Sequence, residues 1–347
     1  MKRYFRIIAL FLFAALCLSG LSGCTKQTQA FTESRFDCFD TFSTLTVYTD
    51  SEAQFEAYLA LFDEELVRYH QLLDIYHSYE GIHNLKTIND AAGEAVTVCP
   101  ELIAFFEFAK EAYTVTGGLT NIALGGVTAL WHDAREVANA HPESAALPDE
   151  ARLTEALAHT DLNCLVLTED TVRLTDPHLA LDAGALGKGY VAQVIAEALT
   201  EAGCDSFLIN LGGNTVAYGQ KPQNTPWRVR IEIPPEVSEL SSPVIELRDM
   251  ALVTSGTYHR YFTVGETRYH HVIDPNTGYP TDTCLSVSVL CADAALADAM
   301  STALLCLSVE EGLALVETLE GIEAFWILPD GTTRQSTGFD AYEGDAP

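Results

Sequence analysis

The order of helix-like and strand-like segments is the feature that most restricts the fold of this chain. Apolar residues at helical spacing predict helices over residues 51–75, 148–159, 188–201 and 294–306, one from Pro100 to the Gly117-Gly118 pair, and one capped by Ser308. Strand-like runs cover residues 42–49, 165–167, 172–174, 179–181, 207–211, 227–233, 244–247 and 285–291, and a final hairpin turns at Asp330-Gly331. Because helices and strands do not alternate regularly, we expect an α+β fold with a mixed, largely antiparallel sheet core and flanking helices.

The first 24 residues have the pattern of an export signal. Lys2, Arg3 and Arg6 precede an apolar run over residues 7–18 that is too short to span a membrane in the mature protein. The ending Leu21-Ser22-Gly23-Cys24 resembles the bacterial lipobox, whose cysteine is lipidated; a plain secretion signal is the alternative. We expect a signal peptide over 1–23, a polar tether over 24–35 and a folded domain over 36–342. A lipid on Cys24 would anchor the exported protein to the outer face of the bacterial cytoplasmic membrane.

Charge and cysteine usage restrict the partners. The formal net charge is -30, which argues against nucleic acid, and against anionic lipid beyond the covalent anchor. An anionic ligand would have to be held locally, by a helix N-terminus, a lysine or a metal ion. The chain has nine cysteines but no Cys-x-x-Cys pair, so neither a zinc site nor a redox motif is expected.

A glycine-rich turn follows the short run at 179–181. The segment LDAGALGKGY, residues 181–190, predicts a turn with exposed backbone N–H groups, followed directly by the start of a helix. Lys188 adds a positive charge there, and the helix dipole favours an anion at the same place. A tight turn with an exposed lysine is the alternative interpretation.

A second polar set lies on the predicted helix 294–306. Asp298, Ser301 and Thr302 stand at i, i+3 and i+4, so their oxygens share one face. Carboxylate and hydroxyl oxygens suit Mg²⁺, with further ligands from backbone carbonyls, water or substrate phosphate. A solvated polar stripe is the alternative.

The third segment ends in a histidine pair. Alternation over residues 269–273 predicts a strand that carries His270 and His271, and Asp274-Pro275 with Thr277-Gly278 predicts a turn directly after it. An imidazole and a carboxylate held in this way could be reactive, although a hairpin with a satisfied histidine would look the same. An anion-holding turn, a Mg²⁺ face and a base together favour an enzyme that processes a pyrophosphate.

These segments resemble those of the ApbE-type FAD:protein FMN transferases. The motifs are LDAGALGKGY, FLINLGGN, LVTSGTYHRYF, RYHHVIDPNTGYP and ALADAMSTALL, in the family's order and spacing over essentially the whole chain after the tether. The resemblance implies Mg²⁺-dependent transfer of FMN from FAD to a Ser or Thr hydroxyl of an acceptor flavoprotein subunit or domain, with release of AMP.

The resemblance also implies roles for individual residues. The flavin nucleotide would be bound by Tyr76, Leu119, Thr120, Asn121, Asp182, Lys188 and Val272. The Mg²⁺ would be held by the backbone oxygen of Ala185 with Asp298 and Thr302, and Ser301 stands where some members have a second metal-binding Asp. His271 would be the general base, oriented by its neighbourhood near Asp274.

Some positions depart from the family's commoner pattern. Phe39-Asp40-Thr41 stands where many members carry Met-Gly-Thr, and Asn121 where many carry Asp. The motifs also leave two alternatives open: a Mg²⁺-dependent FAD pyrophosphatase that gives FMN and AMP, and a flavin-binding lipoprotein without turnover. An intact His271, Asp298 and Thr302 argue against the second, because binding alone needs no base.

Overall fold

A computed structural model describes residues 28–345. Their helices are α1 (Glu52–Leu73), α2 (Leu85–Asp90), α3 (Pro100–Val115), α4 (Gly125–Ala140), α5 (Glu150–Leu157), α6 (Gly187–Glu201), α7 (Ala294–Cys306) and α8 (Val309–Val316). Short 3₁₀ turns lie at Pro142–Ser144, Leu162–Cys164, Pro222–Asn224, Pro235–Val237 and Phe339–Tyr342. Among the described residues, no helix combines the length and apolar character needed to cross a bilayer.

An eight-stranded antiparallel sheet forms the centre of the fold. The strands of the chain are β1 (Gln29–Arg35), β2 (Ser43–Thr49), β3 (Val96–Thr97), β4 (Leu165–Leu167), β5 (Thr171–Leu174), β6 (Ser206–Leu211), β7 (Asn214–Gly219), β8 (Trp227–Arg230), β9 (Val244–Leu247), β10 (Met250–Gly256), β11 (Tyr261–Val264), β12 (Thr267–His270), β13 (Ser286–Cys291), β14 (Glu323–Ile327) and β15 (Thr333–Gln335). The large sheet has the order β1-β2-β6-β7-β10-β13-β14-β15, while β3-β5-β4, β8-β9 and β11-β12 form separate small sheets. The predicted α+β fold is therefore confirmed.

The two faces of the large sheet pack against different elements. Successive side chains of a strand point to opposite faces. On β10, Val253 packs in the cluster that includes α7, and Leu252 packs in a cluster with Trp227 of β8 and Ile245 of β9. Helices thus cover one face of the sheet, and the β8–β9 hairpin covers the other.

Local capping explains where the helices next to the site begin. The Asp293 carboxylate accepts hydrogen bonds from the N–H groups of Ala295 and Leu296, which starts α7 where the sequence predicts it. Ser308 and Glu311 form a reciprocal capping box at the start of α8. Helix α6 begins after Leu186 without a side-chain cap on its first turn. The N–H of Gly187 bonds the Ala183 oxygen and that of Gly189 bonds Asp298, so among residues 28–345 the N–H of Lys188 is left for another partner.

Several predicted strands differ from the structure. Residues 29–35, assigned to the tether, form β1 and pair with β2, because polar and apolar residues both fit an edge strand. The run 179–181 forms only an isolated bridge between Ala180 and Leu124, and the segments at 227–233 and 244–247 form their own ribbon instead of extending the large sheet. The Ser255-Gly256 pair lies inside β10 rather than in a turn, and β12 ends at His270 instead of reaching 273.

Several elements were absent from the prediction, among them α2, β7 and α4. Asn84 caps α2 where a loop was expected, and β7 continues directly from the Gly212-Gly213 turn. Helix α4 begins at Gly125-Gly126 with no side-chain cap, so its start has no sequence signal. The signal peptide and Cys24 lie outside the described residues.

Candidate active site

One cavity of about 590 Å³ lies between α4, the first turn of α6, α7 and the segment 255–273. Residues from all three segments singled out in the sequence line it, including Asp182, Lys188, His271 and Asp298. Its size is that of ligand-binding sites in general. The remote segments of the sequence thus meet in a single concave site.

Asp298 is the deepest charged group in this cavity. Its side chain is buried on α7, and its Oδ2 accepts a hydrogen bond of 2.7 Å from the N–H of Gly189 in α6. Burial raises the pKa of Asp298, against the opposing effect of Lys188 and of the Gly189 N–H. Within residues 28–345 the carboxylate has no ion-pair partner within 4 Å, so a cation bound beside it would stabilise its charged form.

Two further oxygens stand beside this carboxylate. Thr302, one turn after Asp298 on α7, donates a hydrogen bond of 3.0 Å from its Oγ1 to the backbone oxygen of Ala185. Both residues line the cavity. The donor set is therefore one carboxylate, one carbonyl and one hydroxyl, which fits Mg²⁺ provided that water or phosphate oxygens complete its shell. No group of three or more His, Cys, Asp or Glu side chains suited to a metal occurs in the described part of the chain.

Ser301 occupies a different position from its helix neighbours. It is fully buried and does not line the cavity. Its Oγ lies 2.7 Å from the Oγ of Ser255 in β10 and also donates to the backbone oxygen of Asp298. Its hydroxyl thus ties α7 to the sheet, a role that the i, i+3 spacing alone could not distinguish from metal binding.

The turn before α6 is fixed by Asp182. The Oδ1 of Asp182 accepts from the N–H of Gly184, and its Oδ2 accepts from the Oγ1 of Thr128 on α4, at 2.8 and 2.7 Å. Lys188 lies in the first turn of α6 and lines the cavity. An uncapped helix N-terminus with a lysine beside it is suited to a phosphate group.

The predicted flavin-contacting residues divide into two groups. Leu119, Asn121 and Val272 line the cavity, as does Tyr76, whose ring is 58% exposed. Thr120 is fully buried, is not among the lining residues, and donates from its Oγ1 to the backbone oxygen of Ala299.

The two adjacent histidines have separate roles. His270 is buried; its Nε2 lies 2.6 Å from the oxygen of Thr281, and its Nδ1 accepts from the N–H of Val272. His270 is therefore the histidine whose ring nitrogens are both hydrogen-bonded within this segment.

His271 turns its ring into the cavity and has no hydrogen-bond partner among residues 28–345. The surrounding protein, followed by Lys188 and Arg260, holds the pKa of His271 well below its usual value. The ring surface itself is open to the cavity, so water there reduces the shift without reversing its direction. A neutral imidazole facing a ligand cavity can accept a proton.

The structure does not place Asp274 against His271. The Asp274 Oδ1 accepts from the N–H and the Nδ2 of Asn276, which closes the turn after β12. The expectation that the neighbourhood of Asp274 orients the base is wrong in this respect, because that carboxylate is used within its own turn.

Helix α4 contributes a wall that the sequence prediction missed. Thr128, Trp131, His132 and Arg135 line the cavity at i, i+3, i+4 and i+7. Trp131 donates from its indole N–H to the oxygen of Gly278, and its ring stacks on Tyr269. The helical spacing of these four residues could have predicted the helix and its cavity-facing side. It was overlooked because α4 starts without a capping residue.

Comparison with known proteins agrees with this geometry. The ApbE family model matches residues 39–326. An FAD:protein FMN transferase of Treponema pallidum is 36% identical over 271 residues, covering 73% of this chain and 73% of the relative. An FAD:protein FMN transferase of Klebsiella pneumoniae is 33% identical, covering 75% and 78%. The crystal structure of the apo flavinyl transferase ApbE of Pseudomonas stutzeri aligns with a TM-score of 0.77 at 25% identity, over 92% of this chain and 98% of that one.

The chain therefore belongs to the ApbE family. The match spans β2 to β13, most of β14 and every cavity segment described above, and so covers most of the fold and the whole site.

Proposed function

We propose that this protein transfers FMN from FAD to a Ser or Thr hydroxyl of an acceptor protein, releasing AMP, in a Mg²⁺-dependent reaction. The observation that carries the proposal is the arrangement of one cavity: His271 opens into the same space as Asp298, Thr302 and the Ala185 oxygen. A base and a hard-cation site in one cavity are what phosphoryl-type transfer requires, since the protein's task is positioning and charge stabilisation.

The residues of the helical side would hold the pyrophosphate. Lys188 in the first turn of α6 provides its backbone N–H and a positive charge, and Asp298, Thr302 and the Ala185 oxygen would hold the Mg²⁺. The bound Mg²⁺ would neutralise phosphate charge and polarise the phosphoryl oxygens. The exposed ring of Tyr76 and the Trp131–Tyr269 stack leave apolar surface for the flavin.

His271 would take the proton of the incoming hydroxyl. The acceptor oxygen forms a bond to the phosphorus of the FMN half, the P–O bond to the AMP half breaks, and AMP leaves with that oxygen. The proton of the hydroxyl passes to a ring nitrogen of His271, which is free because the ring has no hydrogen-bond partner among residues 28–345.

The test uses the protein from residue 25 onward with FAD, Mg²⁺ and a purified candidate acceptor domain, followed by the intact mass of the acceptor. We expect the mass to increase by one FMN phosphoester, and the increase to be lost with EDTA and in Asp298→Ala. Asp170→Ala, an exposed carboxylate outside the cavity, is the matched control and should behave as wild type. Free FMN and AMP with an unmodified acceptor would support the pyrophosphatase instead, and bound but intact FAD would support the storage protein.

We also propose that the protein is exported and anchored by a lipid on Cys24. The support is the sequence alone: basic residues, a short apolar run and the Leu-Ser-Gly-Cys ending. Expressed in a bacterial host, the wild type should be found in the membrane fraction and be released by detergent. Cys24→Ala should lose the lipid mass on the N-terminal peptide, and an unlipidated wild-type Cys24 would contradict the proposal.

A further inference from the structure

The loop over residues 36–42, which connects β1 to β2, reaches the edge of the cavity. Phe39 and Asp40 at its tip line the cavity. Phe36 and Phe42 flank the tip with ring centroids 4.8 Å apart, and neither belongs to the cavity lining. Their side chains are 69% and 47% exposed, and Phe36 is the most exposed large apolar residue between 28 and 345. An exposed aromatic pair at the edge of a ligand cavity indicates a contact surface.

The shape of this loop is fixed before any partner arrives. Phe39 and Asp40 both adopt left-handed backbone conformations, with φ of 56° and 51°, which non-glycine residues hold only when their surroundings impose them. The Phe39 N–H donates to His70, and Arg260 bonds both the backbone oxygen and the carboxylate of Asp40. A preformed surface loses less conformational entropy when it binds.

The surroundings of the loop are acidic. Asp37 and Asp40 belong to the loop, and the Asp63 carboxylate lies beside its start, where it accepts hydrogen bonds from Arg35. Arg35 offsets Asp63 and Arg260 offsets Asp40, so the carboxylate of Asp37 remains as an excess negative charge on the loop. With a net charge of -30 on the whole chain, this edge favours a partner with a positive surface.

We propose that residues 36–42 dock the acceptor protein. An apolar side chain near the modified Ser or Thr packs on the Phe36–Phe42 pair, and basic groups of the acceptor face the acidic surroundings. The inference rests on the proposed transfer function, because only a transferase must bring another protein's side chain to this edge. Exposed aromatic residues commonly carry most of the energy of such a contact.

The test compares acceptor KM with FAD affinity, using the acceptor domain that gains FMN in the assay above. In Phe36→Ser/Phe42→Ser we expect the acceptor KM to increase at least tenfold, while kcat at saturating acceptor and the Kd for FAD stay within twofold. The matched control is Val67→Ser/Val166→Ser, which removes two side chains exposed to 46% and 43% outside the cavity, and its KM should stay within twofold. The wild-type KM should also increase with salt concentration.

Two outcomes separate the proposals. If the wild type modifies the acceptor and the double variant does so with unchanged KM, the docking surface is wrong and the transfer function stands. If the wild type modifies no acceptor, both the transfer function and the docking surface are contradicted. Should the double variant unfold at a lower temperature than its control, Phe36→Ser alone supplies the same comparison, and an unchanged KM there would equally overturn the docking proposal.

Discussion

The two sides of the cavity are built in different ways. The helical side joins α6 to α7 through the bond from Gly189 to Asp298, and its charged group is buried. The opposite side consists of strand ends and loops, where Tyr76 and His271 project exposed rings. The buried carboxylate is therefore on one side of the cavity, and the exposed rings are on the other.

The difference matches two different tasks. Pyrophosphate and metal are the same in every turnover, so groups held rigidly by packed helices serve them well. The acceptor is a large partner that must approach and leave, and loops at a surface permit this. Substitutions on the helical side should therefore abolish chemistry, whereas those on the loop side should change how the acceptor is used.

The largest effect should come from Asp298→Ala. Loss of the only carboxylate of the proposed metal site should lower kcat/KM by about 10³-fold or more, since a metal contributes several kcal/mol to such reactions. Thermal stability should not fall much, because removing a buried carboxyl without an ion-pair partner offsets the loss of its hydrogen bond from Gly189. Transfer assays and a thermal unfolding curve check this. Activity that survives at a tenth of wild type would show that the metal, if needed, binds elsewhere.

His271→Ala should have the next largest effect. Removing a general base typically costs 10²- to 10⁴-fold in rate, and we expect a loss of about 10²- to 10³-fold in kcat. FAD affinity should remain within a few-fold, because the ring is not hydrogen-bonded in the described structure. Single-turnover kinetics with FAD titrations separate the two quantities, and unchanged transfer at unchanged FAD affinity would remove His271 from the mechanism.

Thr302→Val and Ser301→Ala form a paired test within one helix. Thr302 bonds the Ala185 oxygen at the cavity, so its loss should raise the Mg²⁺ concentration for half-maximal activity about tenfold. Ser301 does not line the cavity and bonds Ser255 of β10, so Ser301→Ala should leave Mg²⁺ dependence within twofold. It should lower the free energy of unfolding by about 1 kcal/mol. If the two substitutions changed the Mg²⁺ dependence equally, Ser301 would again be a candidate metal ligand.

The smallest effect concerns pH and stability. Because the folded pKa of His271 lies below its unfolded value of about 6.5, the unfolded chain takes up a proton as pH falls through that value. The wild type should therefore lose stability between pH 7 and pH 5, and His271→Ala should lose less. Denaturant unfolding of both proteins at the two pH values tests the sign. A steeper loss in the variant would contradict a lowered pKa.

Elements with strong local signals were predicted well from the sequence. Helix α7 spans 294–306 as expected, because Asp293 caps it and apolar residues recur along it up to Cys306. The capping box of α8 and the turn at Asp330-Gly331 were equally clear. Each of these signals is contained within a few neighbouring residues.

What could not be predicted depends on tertiary contacts. Ser255-Gly256 has the composition of a turn but pairs with β13, and α4 begins without a cap. Cavity-lining residues were predicted where they belong to a sequence motif, as Asp182, Lys188 and Asp298 do. The cavity-lining residues of α4 were missed. Ser301 and Thr302 could not be distinguished, because the packing of α7 against β10 decides which of the two hydroxyls faces the cavity.

The close approach of α6 to α7 has a thermodynamic consequence. A Cβ on Gly189 would overlap Asp298 and the Ala294 oxygen, so α6 and the Asp298 carboxylate are in direct contact. Whatever occupies one position acts on the other across a single hydrogen bond, and such coupling is reciprocal. FAD should therefore tighten Mg²⁺ binding by the same factor by which Mg²⁺ tightens FAD binding. An affinity for either has meaning only with the concentration of the other stated beside it.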